Sequence, residues 1–194
     1  MRQSHFKGEK GAHFSYFKDS IEEQEYYVQL WFEAEAMHGQ FEYYTKDFRV
    51  SLVPFRGDCS IPIKWELAKK LEQISQKYGK PIKILYFGDY DKKGLQIFSS
   101  ALKDIRKWCK VAFDVERVGL TLEQAQTLNI PDNPNSPGFY QWEALNDAQA
   151  GKLILDAVRK YLKKPSAELL NREAKIHDEC VNLLTKFLEE QAKD

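Results

Sequence analysis

Asp89 and Asp91 stand on either side of Tyr90, directly after the apolar run Ile84-Leu85-Tyr86-Phe87 and Gly88. Two carboxylates this close repel each other. A hard cation such as Mg²⁺, which takes oxygen ligands and keeps some of its waters, relieves that repulsion. A third carboxylate, Glu33, ends a β-prone run through Tyr27, Val28, Leu30, Trp31 and Phe32. In open α/β sheets, ligands gather at the carboxyl ends of the strands. Carboxylates placed there suit a metal site. Each also has a plainer reading. Asp89 and Asp91 could simply cap the following helix and complement its dipole, and Glu33 and Glu35 could be acids in a solvated first helical turn.

The elements that would position these groups follow from periodicity. Ile84–Phe87 is short and wholly apolar, as a strand buried on both faces would be. After Lys92, Lys93 and Gly94, the residues Leu95, Phe98, Leu102 and Ile105 recur at helical spacing. Ala34 to Tyr44 reads as a helix. Phe48 to Val53 reads as a strand stopped by Pro54. Ile63, Leu67, Leu71, Ile74 and Tyr78 trace one helix face, closed by Gly79 and Pro81. Val111, Phe113, Val115 and Val118 suggest a fourth strand, and Thr121 to Gln124 is a capping box for a short helix to Leu128. The segment Ile130–Tyr140, rich in Pro, Asn and Gly, is a loop long enough to be functional. Asn146 caps a helix running to about Lys163, and Pro165-Ser166 opens a last helix to about Gln191. The alternation predicts an α/β fold, a mainly parallel sheet flanked by helices with a C-terminal helical extension. The expected organisation is a weakly ordered lead-in at 1–22, the α/β domain at 23–145 and C-terminal helices at 146–194.

Composition narrows the classes. Lys+Arg and Asp+Glu are both 29, so no global basic field announces nucleic acid, and any basic patch is local. No apolar run is long enough to span a bilayer, and the first residues lack a signal-peptide core, so no membrane partner is expected. Cys59, Cys109 and Cys180 are odd in number and widely spaced. They fit neither a disulfide framework nor a zinc site, which makes the cytoplasm the expected location. His5, His13, His38 and His177 show no metal-ligand spacing.

Taken together, Glu33 in WFEAEAM (31–37), RGDCS (56–60), GDYDKKG (88–94), RVGLTLEQ (117–124) and QWEAL (141–145) resemble, in order and spacing, a Toprim domain. This is the metal-binding module of topoisomerases, primases and some nucleases. The likeness is greatest to the Toprim branch of the topoisomerase VI A subunit and its meiotic recombination relatives, and to short bacterial and phage proteins carrying that module. Those read WVEKEAL at the glutamate and GDHDPSG at the acidic turn. The resemblance implies a Rossmann-like sheet and Mg²⁺ (or Mn²⁺) held by Glu33, Asp89 and Asp91. It implies phosphodiester chemistry on nucleic acid, DNA foremost, with Glu33 as general acid or base.

Gly88 and Gly94 frame the turn, Glu35 follows the first glutamate, and Glu143 would be a supporting carboxylate. Arg56, Lys92 and Lys93 are candidates for phosphate contacts. Departures matter. Ala34 replaces the family's lysine, and Lys92-Lys93 replaces Pro-Ser, adding positive charge beside the acids. Topoisomerase VI-type cleavage needs a tyrosine on a preceding winged-helix domain, and about two dozen residues before the first strand are too few for one. Tyr26, Tyr27, Tyr43 and Tyr44 read instead as strand and core aromatics. The expected function is therefore a Mg²⁺-dependent, nuclease- or topoisomerase-related activity without the tyrosine domain. The competing expectations are a non-catalytic module that docks DNA or a protein partner supplying the missing function, and an unrelated Asp-x-Asp phosphohydrolase. The last usually carries its pair after the first strand and would leave Glu33 without a role.

Overall fold

The structure, a computed structural model, describes residues 21–55 and 60–191. The expected lead-in through Ser20 and the phosphate-contact candidate Arg56 lie outside the described residues. Four strands, β1 (Tyr27–Phe32), β2 (Ser51–Pro54), β3 (Ile82–Phe87) and β4 (Phe113–Gly119), form one sheet in the order β2-β1-β3-β4. Every pairing is parallel. This is the Rossmann-like α/β arrangement expected from the alternation. β3 lies at the centre and all its residues are buried, which is why it reads as an unbroken apolar run.

The chain moves from β1 out to β2, then back past β1 to β3 and on to β4. Crossovers between parallel strands keep one hand, so reversing the direction of travel moves the connecting helix to the other face. The core accordingly lies on both faces. On one, Val28, Leu30, Phe32, Leu85 and Phe87 pack with Phe41 of α1 (His38–Thr45) and with Ile154 and Val158 of α5 (Asp147–Tyr161). On the other, Trp31, Ile84 and Tyr86 pack with Leu71 of α2 (Ile61–Tyr78) and with Phe98 and Ile105 of α3 (Lys92–Trp108). Between α3 and α5 lies α4 (Leu122–Thr127), opened by the expected Thr121–Gln124 capping box; Asn146 and Gln149 form a second box at α5.

Three boundaries differ from the sequence expectation. The buried face of α2 runs through Lys64, Ala68, Leu71 and Ile74, and Ile63 is exposed. The apolar spacing predicts Ile63 as inward, but the strip through Leu71 and Ile74 reaches Lys64 instead, whose Nζ bonds Asp104 Oδ2 at 2.9 Å. Phe48 closes a 3₁₀ turn (Lys46–Phe48) before β2 rather than starting the strand. The compact unit around the sheet extends from Gln24 to Lys163, past the Leu145 end expected for the α/β domain, because α5 packs its apolar side against the sheet. Residues from Lys164 onward belong to another unit, whose long helix α6 (Ala167–Gln191) begins where Ser166 Oγ accepts from Leu169 N at 3.1 Å. Among the described residues, no helix is long and apolar enough to cross a membrane.

One ionic cluster ties α5 to the sheet. The buried Lys83 on β3 bonds Asp114 Oδ2 at 2.6 Å and lies 3.3 Å from Glu116 Oε2. Glu116 also accepts from Lys160 Nζ at 2.9 Å and from the Tyr161 hydroxyl. Burial pushes the Glu116 carboxyl up, but the bonds from Tyr161, Lys160 and Lys83 outweigh it and hold the group at about 2. A carboxyl with a depressed folded pKa contributes stability that is present above its unfolded value and lost as pH falls through the folded one. The Glu116 contribution is therefore expected to disappear between about pH 4.5 and pH 2. Glu116→Gln should cost about 1–3 kcal/mol near neutrality, because it removes a charged acceptor from a buried lysine, and should flatten the acid limb of the stability curve. Chemical denaturation of both proteins from pH 7 to 2.5 checks this; parallel curves would show that the cluster contributes nothing.

Candidate functional site

Parallel register decides which loop residues meet. Phe32 pairs with Phe87, so the residues that follow, Glu33 and Gly88-Asp89, leave the sheet side by side. Glu33 N donates to Phe87 O at 3.0 Å, and Glu33 Oε2 accepts from Asp89 N at 3.0 Å. The crossovers leave β1 and β3 in opposite directions, so these strand ends flank the point where the chain reverses. In open α/β sheets such a point of reversal is the usual ligand position.

The acidic turn is held from three sides. Asp91 Oδ1 accepts from Gly94 N at 2.6 Å, so Asp91 does cap α3, as the plainer reading has it. Asp89 does not cap; its Oδ1 accepts from Trp142 N at 2.8 Å. Tyr90 and Tyr140 exchange backbone bonds of 2.8 and 3.0 Å as an antiparallel bridge. The Ile130–Tyr140 loop singled out in the sequence is thus fastened to the turn. Both framing glycines are needed for close approach. A Cβ on Gly88 would stand 2.6 Å from Glu33 Oε2 and 2.9 Å from the Tyr86 hydroxyl. One on Gly94 would stand 3.1 Å from Glu33 Oε2 and 3.2 Å from Asp91 Oδ1. Oxygens of Glu33 and Asp91 therefore converge on a single point above Gly94.

Half-burial and mutual repulsion raise the proton affinity of the site. Desolvation pushes the Glu33 carboxyl above its usual range, and the charges of Asp89 and Asp91 push it further. Desolvation likewise raises Asp89, with Glu143 and Asp91 adding to it. Among the described residues, neither Glu33, Asp89 nor Asp91 has an ion-pair partner within 4 Å. The nearby positive charge is Arg117 at the end of β4, which lowers both carboxyls without reaching ion-pair distance. Its Nη2 donates to Gly88 O at 3.1 Å and to Asp89 O, and its guanidinium carbon lies 5.3 Å from the Tyr86 ring centre.

No family model, curated protein or solved structure matches this chain.

The donor set fits a hard divalent cation in kind: three carboxylates at one edge, two of them half-buried and all without an ion-pair partner among the described residues. It is not closed around an ion. Among the described residues, no group of three His, Cys, Asp or Glu side chains is arranged to hold one, and each carboxylate turns one oxygen to a backbone N–H. Of the other sequence candidates, Glu143 sits in the 3₁₀ turn Trp142–Ala144, exposed, with its charge felt at Asp89. Lys92 and Lys93 are exposed in the first turn of α3, directly after Asp91. Glu35 is exposed in the 3₁₀ turn Glu35–Met37.

Two groups at the site had no role in the sequence reading. Arg117 was visible only as the first residue of RVGLTLEQ. The Trp142 N–H is a backbone donor, which no side-chain motif can signal. The tyrosines divide: Tyr27 stacks on Tyr78 at 5.1 Å, Tyr26 packs edge-on against Tyr161 at 5.8 Å, and Tyr44 bonds Asp147. Tyr43, expected in the core, is exposed, because on the short helix α1 the buried positions are Phe41 and Thr45.

Proposed function

We propose that this chain is a Toprim-type protein that binds Mg²⁺ (or Mn²⁺) through Glu33, Asp89 and Asp91 and acts on the phosphodiester backbone of nucleic acid, DNA foremost. The observation that carries the reading is the placement of these three acids at the β1/β3 reversal, where Glu33 and Asp89 leave paired strand ends, Asp91 lies in the same turn, and none has an ion-pair partner among the described residues. A bound divalent ion would neutralise the acids and stabilise charge on the oxygens of a phosphodiester in displacement. The chain's own groups supply the rest. Glu33, whose proton affinity burial raises, is suited to take a proton from an attacking water or return one to a leaving oxygen. Lys92 and Lys93, exposed at the amino end of α3, are suited to contact flanking phosphates, which position a strand without reading its sequence.

A second reading is favoured by one observation. Each acid already has a backbone partner, and Asp91 serves as a helix cap. A module so arranged could dock DNA, or a protein that supplies the chemistry, without cutting.

Labelled single-stranded and duplex DNA incubated with Mg²⁺ or Mn²⁺ separates the outcomes. Free, metal-dependent products support hydrolysis by water. Label linked to the protein, and lost on mutating one tyrosine, overturns hydrolysis in favour of a tyrosine transesterification. Salt-sensitive binding with no products supports docking alone.

A further inference from the structure

Gly88 O and Asp89 N belong to one peptide unit. Its carbonyl accepts from Leu120 N at 2.7 Å and from Arg117 Nη2 at 3.1 Å, and its N–H donates to Glu33 Oε2 at 3.0 Å. The next carbonyl, Asp89 O, also accepts from Arg117 Nη2. A cation on β4 therefore reaches the carboxylate that follows β1 through a single amide after β3. We propose that Arg117 is the positioning residue of this edge: by gripping two successive carbonyls of the acidic turn it fixes the Gly88–Asp89 peptide, and through that N–H it holds Glu33 in place. The role deepens the reading of this edge as the functional site, and rests on it.

Three physical points support the assignment. A charged donor on a carbonyl polarises the amide, so the N–H at its other end becomes a better donor to Glu33. Two donors on Gly88 O also resist a flip of the peptide, which would turn a carbonyl toward the Glu33 carboxylate. The arginine itself is costly. Its Nε and Nη1 are buried and have no hydrogen-bond partner among the described residues, and unsatisfied buried donors destabilise a fold. A methionine could cover the Tyr86 ring as well without that cost. The register explains how Arg117 arrives there. It pairs with Tyr86, and β4 then carries one extra residue before Gly119 pairs with Phe87. Such a bulge re-aims the strand end.

The test compares Arg117→Met and Arg117→Lys with the wild type, first without metal. Amide hydrogen exchange by NMR is expected to show Asp89 N–H exchanging about tenfold faster in Arg117→Met, the loss of one charged hydrogen bond. Amides of Leu30 and Leu85 in the sheet centre should not change. Lysine keeps the charge but lacks the planar fork, so Arg117→Lys should speed Asp89 exchange by roughly threefold or more. It also carries the test if the methionine variant fails to fold.

Mg²⁺ titration of the same samples provides a readout that packing alone would not move. Removing a positive charge would by itself tighten cation binding, whereas loss of positioning should weaken it about tenfold, as expected when support behind a ligand is lost. Asp89 exchange unchanged in both variants, or tighter Mg²⁺ binding in Arg117→Met, would overturn the proposal. A wild type that binds no Mg²⁺, with Asp89 still loosened in the variants, would overturn the metal reading and leave the positioning role standing.

Discussion

Glu33→Gln is expected to abolish metal-dependent cutting of DNA, with initial rates falling at least about 10²-fold, the usual contribution of a positioned general acid or base. The substitution is conservative in shape. Glutamine keeps an oxygen that can accept from Asp89 N, so the bond that joins the β1 and β3 ends survives. What disappears is the negative charge and the proton acceptor. Burial already raises the Glu33 carboxyl, so neutralising it should not destabilise the fold. Cutting and binding are therefore expected to separate: products vanish, while salt-sensitive association with DNA remains, because Lys92 and Lys93 are untouched. Rates measured on labelled duplex and single strands, with binding measured at two salt concentrations, provide the check. A Glu33→Gln protein that cuts within a few-fold of the wild type would remove Glu33 from the chemistry.

Mg²⁺ should stabilise the wild type. A ligand that binds only the folded state at a hundredfold excess over its dissociation constant contributes about 2.7 kcal/mol. For a unit of this size that corresponds to a rise in melting temperature of roughly 5–10 °C. Asp89→Asn with Asp91→Asn should erase the increment. The same double variant should melt no lower than the wild type without metal, and preferably higher. Asparagine at 91 remains a good cap for α3, and asparagine at 89 can still accept from Trp142 N, whereas the repulsion among Glu33, Asp89, Asp91 and Glu143 is relieved. Thermal scans with and without Mg²⁺, with Ca²⁺ as the control for selectivity, read this directly. A double variant that gains the full wild-type increment would place the ion elsewhere.

Much of the fold was legible because local rules and tertiary demands agree. β3 is buried on both faces and reads as four consecutive large apolar residues. Thr121 announces its helix through a capping box that forms as written, and Asn146 caps the next one as expected. Gly79 closes α2 in the left-handed conformation at φ 61°. Where the reading slipped, packing overrode pattern. Ile63 and Lys64 are adjacent, and only the neighbouring α3, which supplies Asp104, makes the lysine the inward one. Tyr43 and Tyr44 look alike in the sequence, yet α5 offers Asp147 to one and leaves the other exposed.

The candidate site shows the same division. The sequence by itself determined that carboxylates follow two β-prone runs, because strand ends and an acidic turn are local, short-range facts. It could not determine that Phe32 pairs with Phe87. That register brings Glu33 to Asp89 across 56 positions of chain and is set by how both faces of the sheet bury their side chains. Nor could it show that one oxygen of each acid is already occupied by a backbone N–H, or that Trp142 N and the two carbonyls held by Arg117 complete the turn. Those partners are main-chain groups and a distant β4 side chain. Main-chain donors and acceptors are the same at every residue, so only the folded arrangement of the chain selects which of them meet an acid.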